Sequence, residues 1–121
     1  MSDFDYDGKV FVSAGAAETR ADDGSVPAGH YHQDGDLVWG EITGGAVRRG
    51  SLAGLCEPDG TLRFAYSQVL ADGTVVSGEC VSHPERLPDG RIRLREEWQR
   101  HSPRSVRGVS IVDETHGQQE A

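Results

Sequence analysis

Glu96 is the residue of this sequence best placed for acid–base chemistry. It lies in the segment "RIRLREEWQRH", residues 91–101, two residues after Leu94 and two before Trp98. This period of two predicts a β-strand with one buried face. A carboxylate on that face loses hydration, which raises its pKa towards the range useful for proton transfer.

A structural role for Glu96 is the alternative. The buried carboxylate could form an ion pair or a hydrogen bond with another interior side chain, and the candidate partners are Arg49, Gln68 and Tyr66. A β-bulge at Glu96–Glu97 would instead turn Glu97 towards the interior.

Two further residues could complete a catalytic site. Glu41 follows Trp39 by two residues, so both side chains share one face of a strand. If that face is interior, Glu41 and Glu96 form a carboxylate pair, and if it is exterior Glu41 is a solvated charge. Tyr66, on the apolar face of "TLRFAYSQVL", could donate a hydrogen bond to negative charge developing on a substrate. The candidate catalytic residues are therefore Glu96, Glu41 and Tyr66.

Aromatic and polar side chains at alternating positions could line a small-molecule pocket. Such pockets are mostly apolar, with a few converging polar groups. Tyrosine and tryptophan are also common in packed cores, which is the structural alternative. The candidates for ligand contact are Tyr31, Trp39, Gln68, Trp98 and His32.

His30 and His32 point the same way on a strand, so both imidazoles could reach one metal ion. The next glutamate, Glu41, lies nine residues after His32 and beyond a turn, and no third histidine stands at a matching position. We therefore expect no metal and place the histidines at the surface or at a barrel mouth. Cys56 and Cys80 are expected as small buried residues.

The elements that would position these residues are short strands. Seven turn dipeptides punctuate the chain, and they are Asp7-Gly8, Asp23-Gly24, Asp34-Gly35, Gly44-Gly45, Asp59-Gly60, Asp72-Gly73 and Asp89-Gly90. They predict an all-β, antiparallel up-and-down meander of about eight strands. Closure removes exposed strand edges, so we predict a small barrel similar in style to lipocalins or avidin, with an open dimerising sheet as the alternative. One domain is expected over 1–114, followed by a flexible polar tail, 115–121.

Composition limits the partners. The formal net charge of −8 argues against a nucleic-acid binder and against attachment to an anionic membrane. The start, "MSDFDYDGKV", lacks the basic and apolar regions of a signal peptide, so we expect none. The sequence has no apolar run long enough for a membrane span, no P-loop and no Gly-x-Gly-x-x-Gly motif. We expect a cytoplasmic protein without a cofactor, whose partner is a small organic ligand, and we leave open whether it forms a homodimer.

Several motifs between residues 28 and 101 form one family pattern. They are Tyr-x-Gln (Tyr31 and Gln33), a Gly-Gly turn (Gly44 and Gly45), Gly-x-Leu-x-Gly (Gly50 to Gly54), Gly-x-Cys (Gly78 to Cys80), Pro-Glu (Pro84 and Glu85) and Glu-Trp-Gln (Glu97 to Gln99). The chain thus resembles a family of small bacterial proteins that often carry the automatic label N-acetylglutamate synthase. The resemblance implies an all-β, barrel-like domain. An acetyl-CoA-dependent transferase would need a pyrophosphate-binding loop before a helix, and this sequence contains neither.

Three functions are compatible with this sequence. The first is a small-molecule-binding barrel with an aromatic-lined pocket and an interior carboxylate. The second is a cofactor-free isomerase, cyclase or lyase that uses Glu96 for proton transfer. The third is a structural or interaction module with a packed core, and a barrel fold alone cannot decide among them.

Overall fold

The computed structural model describes residues 3–14 and 21–115. Its eight strands are β1 (Val10–Ser13), β2 (Pro27–Asp34), β3 (Leu37–Gly44), β4 (Val47–Cys56), β5 (Leu62–Leu70), β6 (Val75–Arg86), β7 (Ile92–Ser102) and β8 (Val106–Glu114). Each strand pairs antiparallel with the next, and β8 pairs with β1, which closes the barrel. The predicted all-β, up-and-down barrel is confirmed.

The turns that join β4 to β5, β5 to β6 and β6 to β7 share one design. In each, an aspartate Oδ1 accepts the backbone N–H two residues further on, and the three aspartates are Asp59, Asp72 and Asp89. Gly60, after Asp59, has a φ of 94°, a conformation that a residue with a side chain adopts only with strain. These Asp-Gly pairs therefore fix the hairpins in which the site residues lie.

The N-terminal segment closes one end of the barrel. Tyr6 is fully buried, packs against Phe11 and Tyr31, and donates a 2.6 Å hydrogen bond from its hydroxyl to the backbone carbonyl of Gly60. Burial raises the pKa of the Tyr6 phenol well above its usual range. A closed end of this kind was not predicted from the sequence.

The barrel interior alternates large side chains with glycines on the neighbouring strand. The directly paired positions are Tyr31 with Gly40, Gln68 with Gly50, Phe64 with Gly54, Tyr66 with Gly78, and Trp98 with Gly108. A Cβ at Gly108 would lie 2.5 Å from the Trp98 ring, closer than carbon atoms approach. These glycines therefore provide the space into which the interior side chains fold.

The C-terminal strand remains attached to β1 as far as Thr115, the first residue of the predicted tail. The Thr115 backbone N–H donates a 2.8 Å hydrogen bond to the Val10 carbonyl. Residues 116–121, the rest of that tail, lie outside the described residues. Within residues 3–14 and 21–115, no helix is long and apolar enough to cross a membrane.

Candidate functional site

A cavity of about 170 Å³ lies inside the barrel. Its aromatic wall consists of Phe11, Tyr31, Phe64, Tyr66 and Trp98. Its polar wall consists of Ser13, Gln68, Glu96, Arg100 and Ser110. Tyr6, Leu62, Ile92 and Leu94 are fully buried and fill the end closed by the N-terminal segment.

Glu96 lies between two serines on adjacent strands, because β7 pairs it with Ser82 of β6 and with Ser110 of β8. The Ser82 hydroxyl donates a long 3.4 Å hydrogen bond to Glu96 Oε2. Burial raises the pKa of Glu96 to about 7, although the Ser82 hydrogen bond acts in the opposite direction. Desolvation outweighs hydrogen bonding here, so Glu96 exists in both protonation states near neutral pH.

The register of β7 places Glu96 inside and Glu97 outside. No bulge interrupts the pairing of either residue with β6 or β8. Glu97 is exposed, and its carboxylate accepts a 2.8 Å hydrogen bond from Arg95, which lowers the pKa of Glu97. Arg49, a predicted partner for the interior glutamate, is exposed, and Ser82 takes that place instead.

Trp98 is held in the cavity wall by its two neighbours on β8. Its indole Nε1 donates a 2.9 Å hydrogen bond to the Ser110 hydroxyl. Its six-membered ring lies against Gly108, where a side chain would not fit. Such fixation is what a preformed binding wall requires.

Tyr31, Tyr66 and Gln68 also lie inside, as predicted, and line the same cavity. Burial raises the pKa of Tyr31 well above its usual range, and the charge of Glu96 adds to the effect. The Tyr66 hydroxyl lies 2.8 Å from the position that a Cβ at Gly78 would occupy. These three side chains are therefore brought to one surface with Glu96 and Trp98.

Glu41, Trp39 and His32 lie on the outer surface, so Glu41 does not pair with Glu96, and the exterior one of its two predicted placements is correct. His32 Nε2 lies 2.8 Å from Glu41 Oε1, and the His32 ring stacks on Trp39 with centroids 5.5 Å apart. The reason is the register of β2 with β3, in which inward Tyr31 faces Gly40 and the residues on either side of Gly40 turn outward. Trp39 and His32 are likewise excluded from the interior pocket.

His30 is exposed beside this outer cluster. Among the described residues, no group of three or more His, Cys, Asp or Glu side chains is arranged to hold a metal ion. Cys80 lines the cavity, and burial raises its pKa far above the usual range. Cys80 therefore has little thiolate character.

Four polar residues of the site were missed from the sequence. They are Ser13, Ser82, Arg100 and Ser110. Arg100 could have been found, because it continues the inward series of Glu96 and Trp98 by two more residues. The serines carry no such signal, since only strand pairing places them beside the site.

The fold and cavity define a class of protein, the small up-and-down β-barrel whose interior can accommodate one small molecule. A family described as "Avidin-like protein" matches residues 4–115, and the chain belongs to this avidin-like family. Nothing in this match supports the label N-acetylglutamate synthase. No curated protein and no solved structure shows a significant match to the chain.

Proposed function

We propose that this barrel binds one small, partly apolar organic molecule in its interior cavity. The observation that carries the proposal is a partly buried carboxylate, Glu96, in the wall of a cavity that is otherwise mostly apolar. Membership of an avidin-like family supports the same use of the barrel. Tyr31, Tyr66 and Trp98 would contact the ligand, and Gln68 and Glu96 would fix its orientation.

The size of the cavity indicates the size of the ligand. An engineered apolar protein cavity of about 150 Å³ binds benzene. A cavity of about 170 Å³ is therefore suited to a single ring with a short substituent. The same cavity argues against a structural module with a fully packed core, because such a module would leave no space of this size.

The two tryptophans provide a test of the binding site. A library of small ring compounds is screened by thermal shift, and ligands are then titrated into Trp39→Phe and Trp98→Phe variants. We expect ligands to change the fluorescence of Trp39→Phe, whose remaining tryptophan lines the cavity. The emission of Trp98→Phe, whose tryptophan lies on the outer face, should remain unchanged. The proposal would be rejected if no compound in the library binds, or if ligands change only the fluorescence of Trp39.

A second function is favoured by the position of Glu96 in the cavity wall with a single long hydrogen bond, where burial raises its pKa to about 7. A carboxylate with this pKa can accept and return a proton near neutral pH, as a cofactor-free isomerase, cyclase or lyase requires. Tyr66, in the same wall, would donate a hydrogen bond to the negative charge that develops. Glu41 has no part in this scheme, because it lies outside the barrel.

Proton transfer can be tested by isotope exchange. A cavity ligand with an acidic C–H group is incubated in D₂O with the wild type and with the Glu96→Gln variant. Enzymatic exchange would require Glu96 and would follow its ionisation near neutral pH. Equal exchange by both proteins would exclude Glu96 as the base and leave the binding function as the conclusion.

The outer face bears on the possible homodimer, which the sequence left open. Leu37 and Leu55 are paired across β3 and β4, and each is about half exposed. A second copy of the chain could cover them, and a mass measurement in solution would show whether it does. The homodimer stays an open possibility, and the cytoplasmic location stays a prediction.

A further inference from the structure

The carboxylate of Glu96 has unused hydrogen-bonding capacity. Its Oε2 accepts one long hydrogen bond from Ser82, and its Oε1 accepts none from the residues that the structure describes. A carboxylate has about four acceptor sites on its two oxygens. Most of this capacity is therefore available to a molecule inside the cavity.

The charge of Glu96 is also without a cationic partner. Burial and the Ser82 hydroxyl are the influences on its pKa, and no lysine, arginine or histidine among the described residues lowers it. The titratable groups that share the cavity are Tyr31 on β2, Tyr66 on β5, Cys80 on β6 and Arg100 on β7. Burial raises the pKa of Tyr31 and that of Cys80, so both stay neutral near pH 7, and neither a phenol nor a thiol can supply a positive charge.

Arg100, on the same strand β7, does not provide that compensation, because it is not among the influences on the pKa of Glu96. It follows Glu96 by four residues, which corresponds to about 13 Å along a strand. The cavity thus has its acidic group and its basic group at separate positions on one strand.

The remaining wall suits a flat, positively charged molecule. Trp98 and Phe64 line the cavity together with the two tyrosines. Aromatic faces attract cations through their quadrupoles, particularly where water is excluded. The aromatic wall of the cavity would therefore stabilise both the ring and the positive charge of such a ligand.

We propose that the cavity selects small planar cations of the amidinium type, whose two N–H groups donate to the two carboxylate oxygens of Glu96 while the attached ring packs on the aromatic wall. This inference rests on the proposed binding function and adds its ligand class. A bidentate, charge-assisted pair of hydrogen bonds is the strongest contact that a carboxylate makes with an organic cation.

Three probes of matched shape test the charge requirement. Benzamidinium, benzamide and benzoate share one ring and differ in the charge of the head group. Each is titrated into full-length Trp39→Phe at about pH 8, where Glu96 is ionised, and Trp98 fluorescence and calorimetry report binding. We expect benzamidinium to bind at least about tenfold more tightly than benzamide. Benzoate should bind more weakly than either.

Two substitutions, Glu96→Gln and Glu97→Gln, locate the effect. Glu96→Gln keeps the volume and removes the charge, so benzamidinium should lose at least about tenfold in affinity while benzamide changes little. Glu97→Gln alters the adjacent, outward carboxylate and should leave both affinities unchanged. Benzamidinium binding that survives Glu96→Gln would overturn the proposal.

The pH dependence of the wild type provides a second measurement that needs no substitution at Glu96. Benzamidinium affinity should fall as pH decreases from about 8 to about 5, because Glu96 becomes neutral, whereas benzamide affinity should not fall. Benzamide binding as tightly as benzamidinium would overturn the cation preference and leave small-molecule binding intact. If none of the three probes binds, the ligand class is wrong, and the library screen then decides separately whether the cavity binds small molecules.

Discussion

The Ser82 hydroxyl lies 3.4 Å from Oε2 of Glu96, directly across the β6–β7 pairing. At this length a hydrogen bond is weak, so it offsets little of the cost of burying the carboxylate. Ser82 is itself fully buried. The barrel therefore retains a group that destabilises its folded state when ionised, and such a cost is typical of functional sites.

This relationship predicts an unusual pH dependence of stability. The pKa of Glu96 rises from its ordinary value of 4.5 to about 7 on folding, so the folded state favours the protonated form. The contribution of Glu96 to the free energy of unfolding is therefore most favourable below about pH 4.5. It falls as the pH rises from about 4.5 to about 7 and is constant above about pH 7. At about 1.4 kcal/mol per pKa unit, the loss is about 3 kcal/mol.

Denaturant unfolding of the wild type and of Glu96→Gln between about pH 4 and about pH 8 measures this loss. The stability of the wild type relative to the variant should decrease with increasing pH, and other titrating groups cancel in the comparison. A constant difference would show that Glu96 keeps its ordinary pKa in the folded state.

Gly108→Ala should destabilise the barrel by about 1–3 kcal/mol, as overpacked cores do. The new Cβ would meet the Trp98 ring at 2.5 Å, so the ring must move. Denaturant unfolding gives the stability change, and Trp98 fluorescence in a Trp39→Phe background reports the displaced ring. Val109→Ala, at the next residue and on the outer face, should change stability by less than about 0.5 kcal/mol. Equal effects of the two substitutions would contradict the close packing of Trp98.

Ser110→Ala tests the fixation of Trp98 without adding volume. It removes the acceptor of the 2.9 Å bond from the indole Nε1 and should cost about 1 kcal/mol. In the Trp39→Phe background, we expect a shifted emission maximum and weaker binding of cavity ligands. Unchanged emission would mean that Ser110 does not hold the ring.

Tyr6→Phe tests the closed end of the barrel separately from the cavity. It removes the buried hydrogen bond to the Gly60 carbonyl and should cost about 1–3 kcal/mol, since that carbonyl then lacks its partner. Tyr6 does not line the cavity, so the affinity of cavity ligands should remain the same. A large loss of binding at preserved stability would place Tyr6 in the site.

The strands and their turns were predictable because their signals are local. Asp-Gly pairs mark hairpins through backbone conformation, and the period of two is a property of a single strand. The same local rule put Glu96 on one face with Leu94 and Trp98, and Tyr66 on one face with Gln68. For these residues, inward placement followed from the predominantly apolar character of the shared face.

For β3 the local rule was insufficient. One face carries Leu37, Trp39 and Glu41, and the other carries Val38 and Ile42 around a glycine. Both faces are largely apolar, so alternation alone does not show which one turns inward. Pairing of inward Tyr31 with Gly40 decides it, because directly paired residues of antiparallel strands lie on the same face of the sheet, so Val38 and Ile42 turn inward.

The sequence by itself thus determined an all-β barrel with one carboxylate on an apolar strand face, since both follow from contacts within a few residues. Only the tertiary structure decided that Ser82 and Ser110 share the site with Glu96 and that Glu41 does not. The reason is that these relations depend on register between strands and on closure of the barrel, which bring together residues far apart in the chain.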